Sequence, residues 1–263
     1  MSNFLALQRQ MAASGQTVDQ IIAGVNPTVW LAARKETVYS DNDPVGVADD
    51  WTGNLYRATQ SVAARKPLFK TGVLNGLPTF RFDGSNDGLL TPTLPGTIHD
   101  GSFTIICVWR NSITGARILY DTTPHALNSN GGVVLFTGYT TTALVKRTTT
   151  GSYMSSYDIA GLWATDNVWR VSAHCCNNTH SSHLFYENGH APSSWATVNN
   201  ADPGSTLNSQ QISIGCKNAG GSPSNCILGD IAEWIAFPES LSTADRQAIE
   251  DALGSTYGIT ITH

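Results

Sequence analysis

Three aromatic residues of this chain lie where a saccharide ring could stack: Tyr139, Trp163 and Trp195. Each occurs in a stretch rich in Thr, Asn, Ser or Asp, where strand alternation does not demand a large core side chain. Sugar recognition combines an exposed aromatic plane with amide, hydroxyl and carboxylate groups that bond the sugar hydroxyls. The three residues are therefore candidate sugar contacts. For each, the alternative is an aromatic ring at the rim of the domain that packs beneath a loop.

Carboxylate chemistry has less support in the sequence. Retaining glycoside hydrolysis needs two close carboxyl groups, which alternate positions of one strand supply in an E-x-D-x-E pattern, and that pattern does not occur. Asp230 and Glu233 are three positions apart, so we expect them to point to opposite faces of a strand. No G-x-S-x-G, P-loop or dinucleotide-binding motif is present. The sequence predicts a protein that is not an enzyme, with glycoside hydrolysis as the enzymatic alternative.

One candidate cation loop, D-G-S-N-D-G, occupies residues 83–88. It places oxygen side chains at its first, third and fifth positions and glycine at the sixth, as an EF-hand loop does. The twelfth position is Leu94, where an EF-hand has a bidentate glutamate. Asp and Gly at these positions also suit a hairpin turn. We therefore predict a turn and no cofactor, with calcium at Asp83 and Asp87 as the alternative.

The five cysteines are Cys107, Cys175, Cys176, Cys216 and Cys226. Their spacing contains no C-x-x-C and fits no zinc pattern. Cys216 and Cys226 flank a loop rich in Gly, Ser, Pro and Asn between two predicted strands, so they are predicted to face each other as a disulfide. Free, half-buried thiols are the alternative.

Composition excludes several classes of function. Of the 263 residues only 13% are charged, and the net charge is −5. No basic cluster is available for phosphates, so nucleic-acid binding is not predicted. The sequence contains no run of about 20 apolar residues, so membrane insertion is not predicted. No secretory signal is visible at the N-terminus.

The elements that must position these residues are mostly short strands. Residues 227–237 are rich in β-branched and aromatic side chains, and this composition predicts a strand. Ser242 and Asp245 form a capping-box-like pair that predicts a helix over 243–253, with Gly254 as its stop signal. The near-continuous apolar run at 103–109 predicts a central strand covered on both sides. Further short strands, with turns and no helices between them, indicate a β-sandwich.

Several motifs occur in a fixed order along the chain: P-x-x-R-F-D-G-x-x-D-x-L at 78–89, G-D-I-A-E at 229–233, L-S-x-A-x-R at 241–246 and Y-G-I at 257–259. Together they resemble the laminin-G-like, concanavalin-A-like jelly rolls of bacteriophage virion and bacterial surface proteins. The resemblance covers about residues 27–260. It implies an all-β sandwich with a short C-terminal helix, as one domain over residues 27–263.

Residues 1–26 precede the part of the chain that resembles the family. Thr17 and Gln20 form a capping-box signal ahead of Ile21 and Ile22. Further apolar side chains occur upstream at Phe4, Leu5, Leu7 and Met11. This segment is predicted to be an N-terminal arm for attachment or oligomerisation, and the alternative is a frayed tail that packs loosely on the domain.

The resemblance implies a non-enzymatic virion protein, such as part of a tail fibre, spike or head decoration, that adheres to glycans or to a host surface. The expected partners are a surface glycan and, through residues 1–26, other virion proteins or copies of the chain. The expected location is the surface of a virion. The alternatives are a purely structural module that binds other virion proteins, and a polysaccharide-degrading enzyme.

Overall fold

The computed structural model describes residues 15–95, 102–112, 117–121, 132–137, 141–147, 153–160, 167–176, 183–191, 196–197 and 211–263. Two α-helices lie in these ranges, α1 (Val18–Gly24) and α2 (Thr243–Tyr257). No helix in the described ranges is long and apolar enough to cross a membrane. The strands are β1 (Val29–Ala32), β2 (Val47–Ala48), β3 (Ala58–Thr59), β4 (Leu68–Leu74), β5 (Leu77–Asp83), β6 (Leu89–Leu90), β7 (Phe103–Asn111), β8 (Arg117–Asp121), β9 (Gly132–Thr137), β10 (Thr141–Arg147), β11 (Tyr153–Ala160), β12 (Arg170–Cys176), β13 (His183–Glu187), β14 (Ala196–Thr197), β15 (Ser213–Ile214) and β16 (Leu228–Phe237).

The strands form two antiparallel sheets. One has the order β13-β12-β7-β16-β5-β4, and β1 pairs with β16 beside this path. The other has the order β14-β11-β10-β9-β8-β15-β6-β3-β2. The all-β sandwich with a short C-terminal helix, predicted from the sequence, is confirmed.

The main core lies between the two sheets, and β7 shows how the sequence builds it. Phe103, Ile105, Cys107 and Trp109 alternate along the strand and all belong to this core. The intervening Ile106 and Val108 are buried too, but in a second cluster on the opposite face of the sheet. Both faces of β7 are therefore covered, as the apolar run predicted.

The second cluster forms where the helices cover the outer face of the seven-stranded sheet. Ile249 and Leu253 of α2 are fully buried there, and so is Ile22 of α1. The predicted capping box is confirmed, since the Thr17 side chain and the Gln20 side chain each accept a hydrogen bond from the other residue's backbone N–H. Ile22 of α1 therefore packs into this second cluster together with residues of the sheet and of α2. A role of residues 1–26 in attachment or oligomerisation remains a prediction.

The C-terminal helix begins where the sequence predicted and ends later. Ser242 Oγ accepts a hydrogen bond from the Asp245 N–H at 3.1 Å, as expected of an N-cap. The helix continues through Gly254 and stops at Tyr257, with Gly258 in the left-handed region at φ 70°. Gly254 has a packing role instead, because a Cβ there would lie 2.4 Å from Ile261 Cγ1.

Asp230 and Glu233 lie on the same face of β16, which corrects the prediction that they point to opposite faces. The register against β7 shifts between Ile231 and Glu233, the mark of a β-bulge. Ile231 and Trp234 consequently both enter the inter-sheet core, whereas Ala232 belongs to the cluster on the outer face. Both carboxylates therefore lie on the outer face of the seven-stranded sheet.

Candidate functional site

A pocket of about 270 Å³ opens beside the start of β1. It lies between the segment that leads into β1 and the loop at 51–54. Ligand pockets typically have volumes of about 300–1,000 Å³, so this one suits a small group such as one or two sugar rings. The lining residues are Ala23, Asn26, Pro27, Thr28, Trp30, Trp51, Thr52 and Asn54.

The Asp50 carboxylate holds the loop that forms one wall. Its Oδ1 accepts the backbone N–H of Trp30 at 3.0 Å and that of Thr52 at 3.1 Å. Its Oδ2 accepts the backbone N–H of Tyr56 at 2.9 Å. The Trp51 N–H donates in turn to the Trp30 carbonyl at 2.9 Å. Because hydrogen bonds to an ionised group are stronger than neutral ones, one side chain fixes the loop against β1.

The aromatic surface of the pocket comes from Trp51, which is half-buried, because Trp30 is only 2% exposed; a lysine contacts both rings. The Lys35 Nζ lies 4.3 Å from the Trp30 ring centroid and 5.1 Å from that of Trp51. Such cation–π contacts contribute about 0.5–2 kcal/mol. Asp19 of α1 binds Lys35 Nζ at 2.6 Å and Arg34 Nη2 at 2.5 Å. Partial burial acts to raise the pKa of the Asp19 carboxyl, but the hydrogen bonds from Lys35 and Arg34 leave that pKa below its usual value.

Three polar side chains at the pocket offer hydrogen-bonding atoms to a ligand. The Asn54 amide donates through Nδ2 to the Thr28 carbonyl at 3.1 Å, which leaves its Oδ1 as an acceptor. Among the described residues, neither the Asn26 amide nor the Thr28 hydroxyl has a side-chain hydrogen bond. Amides and hydroxyls that both donate and accept match the hydroxyl groups of a saccharide.

Glu233 lies near the pocket but is enclosed by protein donors. Trp30 Nε1 donates to its Oε2 at 2.9 Å, and the Tyr257 hydroxyl donates to its Oε1 at 2.9 Å. Arg34 also donates to Oε1. Burial raises the pKa of the Glu233 carboxyl, and Arg34 opposes that shift. With both oxygens engaged and no exposed surface, Glu233 orients the Trp30 indole and is not placed to transfer a proton to a ligand.

The sugar contacts predicted from the sequence, Tyr139, Trp163 and Trp195, lie outside the described residues and stay predictions. The apolar strand around Trp30 predicts a core position for this residue, which its 2% exposure confirms, whereas the sequence predicted no role for Trp51. The available signal was the D-D-W-T-G-N run at 49–54, whose Asp50 proves to organise the loop. That run showed neither which strand Asp50 would bind nor that a pocket would form there.

The loop at 83–88 forms a turn that the side chains of Asp83 and Asp87 hold in place. Asp83 Oδ1 accepts the backbone N–H of Ser85 at 2.8 Å and of Asn86 at 3.1 Å. Asp87 Oδ2 accepts the Asp83 N–H at 3.0 Å. Burial, with the Asp83 charge adding to it, raises the pKa of Asp87 to about 7. No metal-binding group of three or more His, Cys, Asp or Glu side chains occurs in the described ranges.

Cys216 and Cys226 are neighbours, as the sequence predicted, and both thiols are free and buried. The side chain of Cys226 hydrogen-bonds that of Cys216, and this bond, together with burial, raises the pKa of the Cys216 thiol. The arrangement brings together the two residues proposed for a disulfide, and the disulfide itself stays a prediction.

Two facing antiparallel sheets with a terminal helix define a β-sandwich, and comparison with known proteins finds solved structures that share this fold. No protein-family model and no curated protein sequence matches the chain. Solved structures do match it. The botulinum neurotoxin serotype D binding domain gives a TM-score of 0.61 at 15% identity, over 89% of this chain and 53% of that chain. The binding domain of Paraclostridial Mosquitocidal Protein 1 gives 0.61 at 14% identity, over 89% of this chain and 53% of that chain.

A third match is a structure of botulinum neurotoxin type C, whose cell entry depends on interaction with two ganglioside molecules. It has a TM-score of 0.57 and 17% identity, over 88% of this chain and 52% of that chain. Identity at this level shows a shared fold alone. The chain spans about half the length of these structures. The matches support the β-sandwich fold that the resemblance implies, and the glycan-binding role and the bacteriophage context stay predictions.

Proposed function

We propose that this chain is a non-enzymatic module that binds a surface glycan in the pocket beside β1. The observation that carries the proposal is the joint presence, around one small opening, of the half-buried Trp51 indole and three polar side chains whose hydrogen-bonding atoms are not all used within the described part of the chain; the buried Trp30 indole lies behind them. Aromatic surface supplies affinity for the apolar face of a sugar, and the amides and hydroxyl select its orientation.

Two observations support binding over catalysis. The carboxylates near the pocket, Asp50 and Glu233, have their oxygens engaged by protein donors. Hydrolysis of a glycosidic bond would need a pair of carboxyl groups free to meet the substrate. In addition, the matched solved structures are binding domains of toxins.

We also propose the surface of a virion as the location, with other virion proteins or copies of the chain as partners. This rests on the motif resemblance at 78–89 and 229–259. Recovery of the protein from purified particles, by mass spectrometry, tests the location, and its absence from every particle fraction would contradict it.

The glycan proposal is tested on a glycan array, followed by saturation-transfer NMR with each glycan that binds. Trp51→Ala should weaken binding by roughly tenfold or more, because it removes one indole face from the pocket. Val62→Ala, a change at an exposed apolar residue away from the pocket lining, is the matched control and should leave binding unchanged.

Three results would contradict the proposal of a non-enzymatic module that binds a glycan in the pocket. An array without any bound glycan would favour the purely structural alternative. Binding that survives Trp51→Ala and fails in Trp163→Ala or Trp195→Ala would move the site to the residues predicted from the sequence. Release of reducing sugar from a bound polysaccharide would show an enzyme.

A further inference from the structure

A second polar feature lies on the outer face of the seven-stranded sheet. The register aligns one residue from each of three adjacent strands there, since Asp230 of β16 pairs with Arg81 of β5 on one side and with Arg110 of β7 on the other. Trp169, next to the start of β12, extends the row beyond Arg110, whose Cζ lies 4.9 Å from the indole centroid. Leu68 of β4 extends it beyond Arg81.

The charges in this row do not balance. Asp230 is 1% exposed and contributes one negative charge, which a single guanidinium would neutralise. Two guanidinium groups contact the Asp230 carboxylate: Arg81 Nε lies 2.8 Å from Oδ1 and Arg110 Nε lies 2.7 Å from Oδ2. The arginine side chains are 37% and 21% exposed, so the surplus positive charge is open to solvent.

The geometry of the guanidinium explains what that surplus can bind. Arginine offers five N–H donors in a planar fork, and each of two edges can hold a carboxylate. Both arginines use the Nε–Nη2 edge for Asp230, with Arg81 Nη2 at 3.4 Å and Arg110 Nη2 at 2.7 Å from Oδ2. Within the described ranges the Nη1 atoms of both have no partner. The outer edge of each fork therefore remains for an anion.

Neighbouring side chains favour an anion that carries an apolar body. Trp169 is half-buried and stacks with Arg110, which holds that fork in place. Leu68 and Leu228, each 37% exposed, provide apolar surface beside the arginines. An inorganic anion would gain nothing from these groups, whereas a sugar ring has one apolar face to place on them.

We propose that Arg81 and Arg110 form a site for the carboxylate of an acidic saccharide, a uronic or sialic acid unit. This goes beyond the proposed function in naming a second site and a ligand class, and it shares with that function only the glycan nature of the ligand. Asp230 acts as the positioning residue, because it holds both forks side by side.

The test is titration of the full chain with sodium glucuronate and with N-acetylneuraminate, followed by protein-observed NMR. Methyl glucoside, which lacks a carboxylate, is the comparison ligand, and sodium sulfate tests for an unselective anion site. Arg81→Gln should weaken binding of the acidic sugars by roughly tenfold, because a charge-assisted bidentate contact is lost. Arg57→Gln is the matched control, since Arg57 is also an exposed arginine paired with a carboxylate.

Asp230→Asn tests the positioning role. It keeps the shape of the side chain but replaces one acceptor oxygen by an NH2 donor, which cannot hold a guanidinium, so acidic sugars should bind several-fold more weakly although the site's net charge rises from one to two. Absence of glucuronate and N-acetylneuraminate binding would overturn the proposal, as would equal binding by Arg81→Gln, or sulfate binding as tight as that of the sugars. Trp51→Ala separates this proposal from the pocket, because it should leave acidic-sugar binding intact even if the pocket binds nothing.

Discussion

Ile22 gives the sharpest test of how the N-terminal segment relates to the sandwich. Its side chain is fully buried against the sheet and α2, although α1 has only seven residues and Ile22 is its one fully buried side chain. Replacing a buried isoleucine by alanine costs about 2–5 kcal/mol, from lost burial and from the cavity that remains. Because a short helix can shift to fill part of that cavity, we expect Ile22→Ala to cost about 2–3 kcal/mol.

For a domain of this size, each kcal/mol lowers the midpoint of thermal unfolding by about 2–4 °C, so the expected decrease is roughly 4–12 °C. Scanning calorimetry and urea unfolding, followed by circular dichroism, measure it. Val38→Ala is the control, since Val38 is 74% exposed and its truncation should change stability by less than about 0.5 kcal/mol. If Ile22→Ala unfolds at the same temperature as Val38→Ala, α1 is not part of the core and the arm is a separate segment after all.

Two further predictions concern pH and redox state. Burial raises the pKa of Asp87 from 3.8 to about 7, so the folded state binds more protons than the unfolded state and its stability should fall as pH rises from about 4 to about 7. Asp87→Asn should reduce this dependence of stability on pH, measured by urea unfolding between pH 4 and 8. Part of the dependence should remain, because burial also raises the pKa of Glu36 to about 7. An unchanged dependence would show that Asp87 ionises normally. Refolding with oxidised glutathione should form a disulfide between Cys216 and Cys226, with two hydrogens passing to the glutathione. The disulfide should stabilise the fold by about 2–3 kcal/mol. Peptide mapping that finds both thiols alkylated would refute the pairing.

The elements that could be predicted from the sequence are those whose signals are local. The start of α2 depends on Ser242 and Asp245, three residues apart, and the position of β7 depends on its own apolar run. The end of α2 depends on contacts beyond the helix. Gly254 resembles a stop signal, but it is needed for the close approach of Ile261, which no pattern within the helix reveals.

The pocket could not be predicted because its walls come from separate segments. Asp50 binds the backbone of Trp30, twenty positions earlier, and the Trp30 indole is held by Glu233 from the far end of the chain. A single sequence shows that these residues are polar or aromatic. Their use depends on which strands become neighbours, and β1 pairs with β16 across nearly the whole chain.

The bulge in β16 has a large consequence for the proposed anion site. By placing Asp230 and Glu233 on the same face, it creates two carboxylate sites on one sheet where strict alternation would give one. Glu233 is covered by α2 and sealed by Tyr257, whereas Asp230 faces two arginines that remain partly exposed. A fully enclosed charge has a structural role, because no ligand can reach it. A surplus charge at the surface can bind a ligand of opposite charge. The outer face therefore divides into a closed end that positions Trp30 and an open end suited to an anionic ligand.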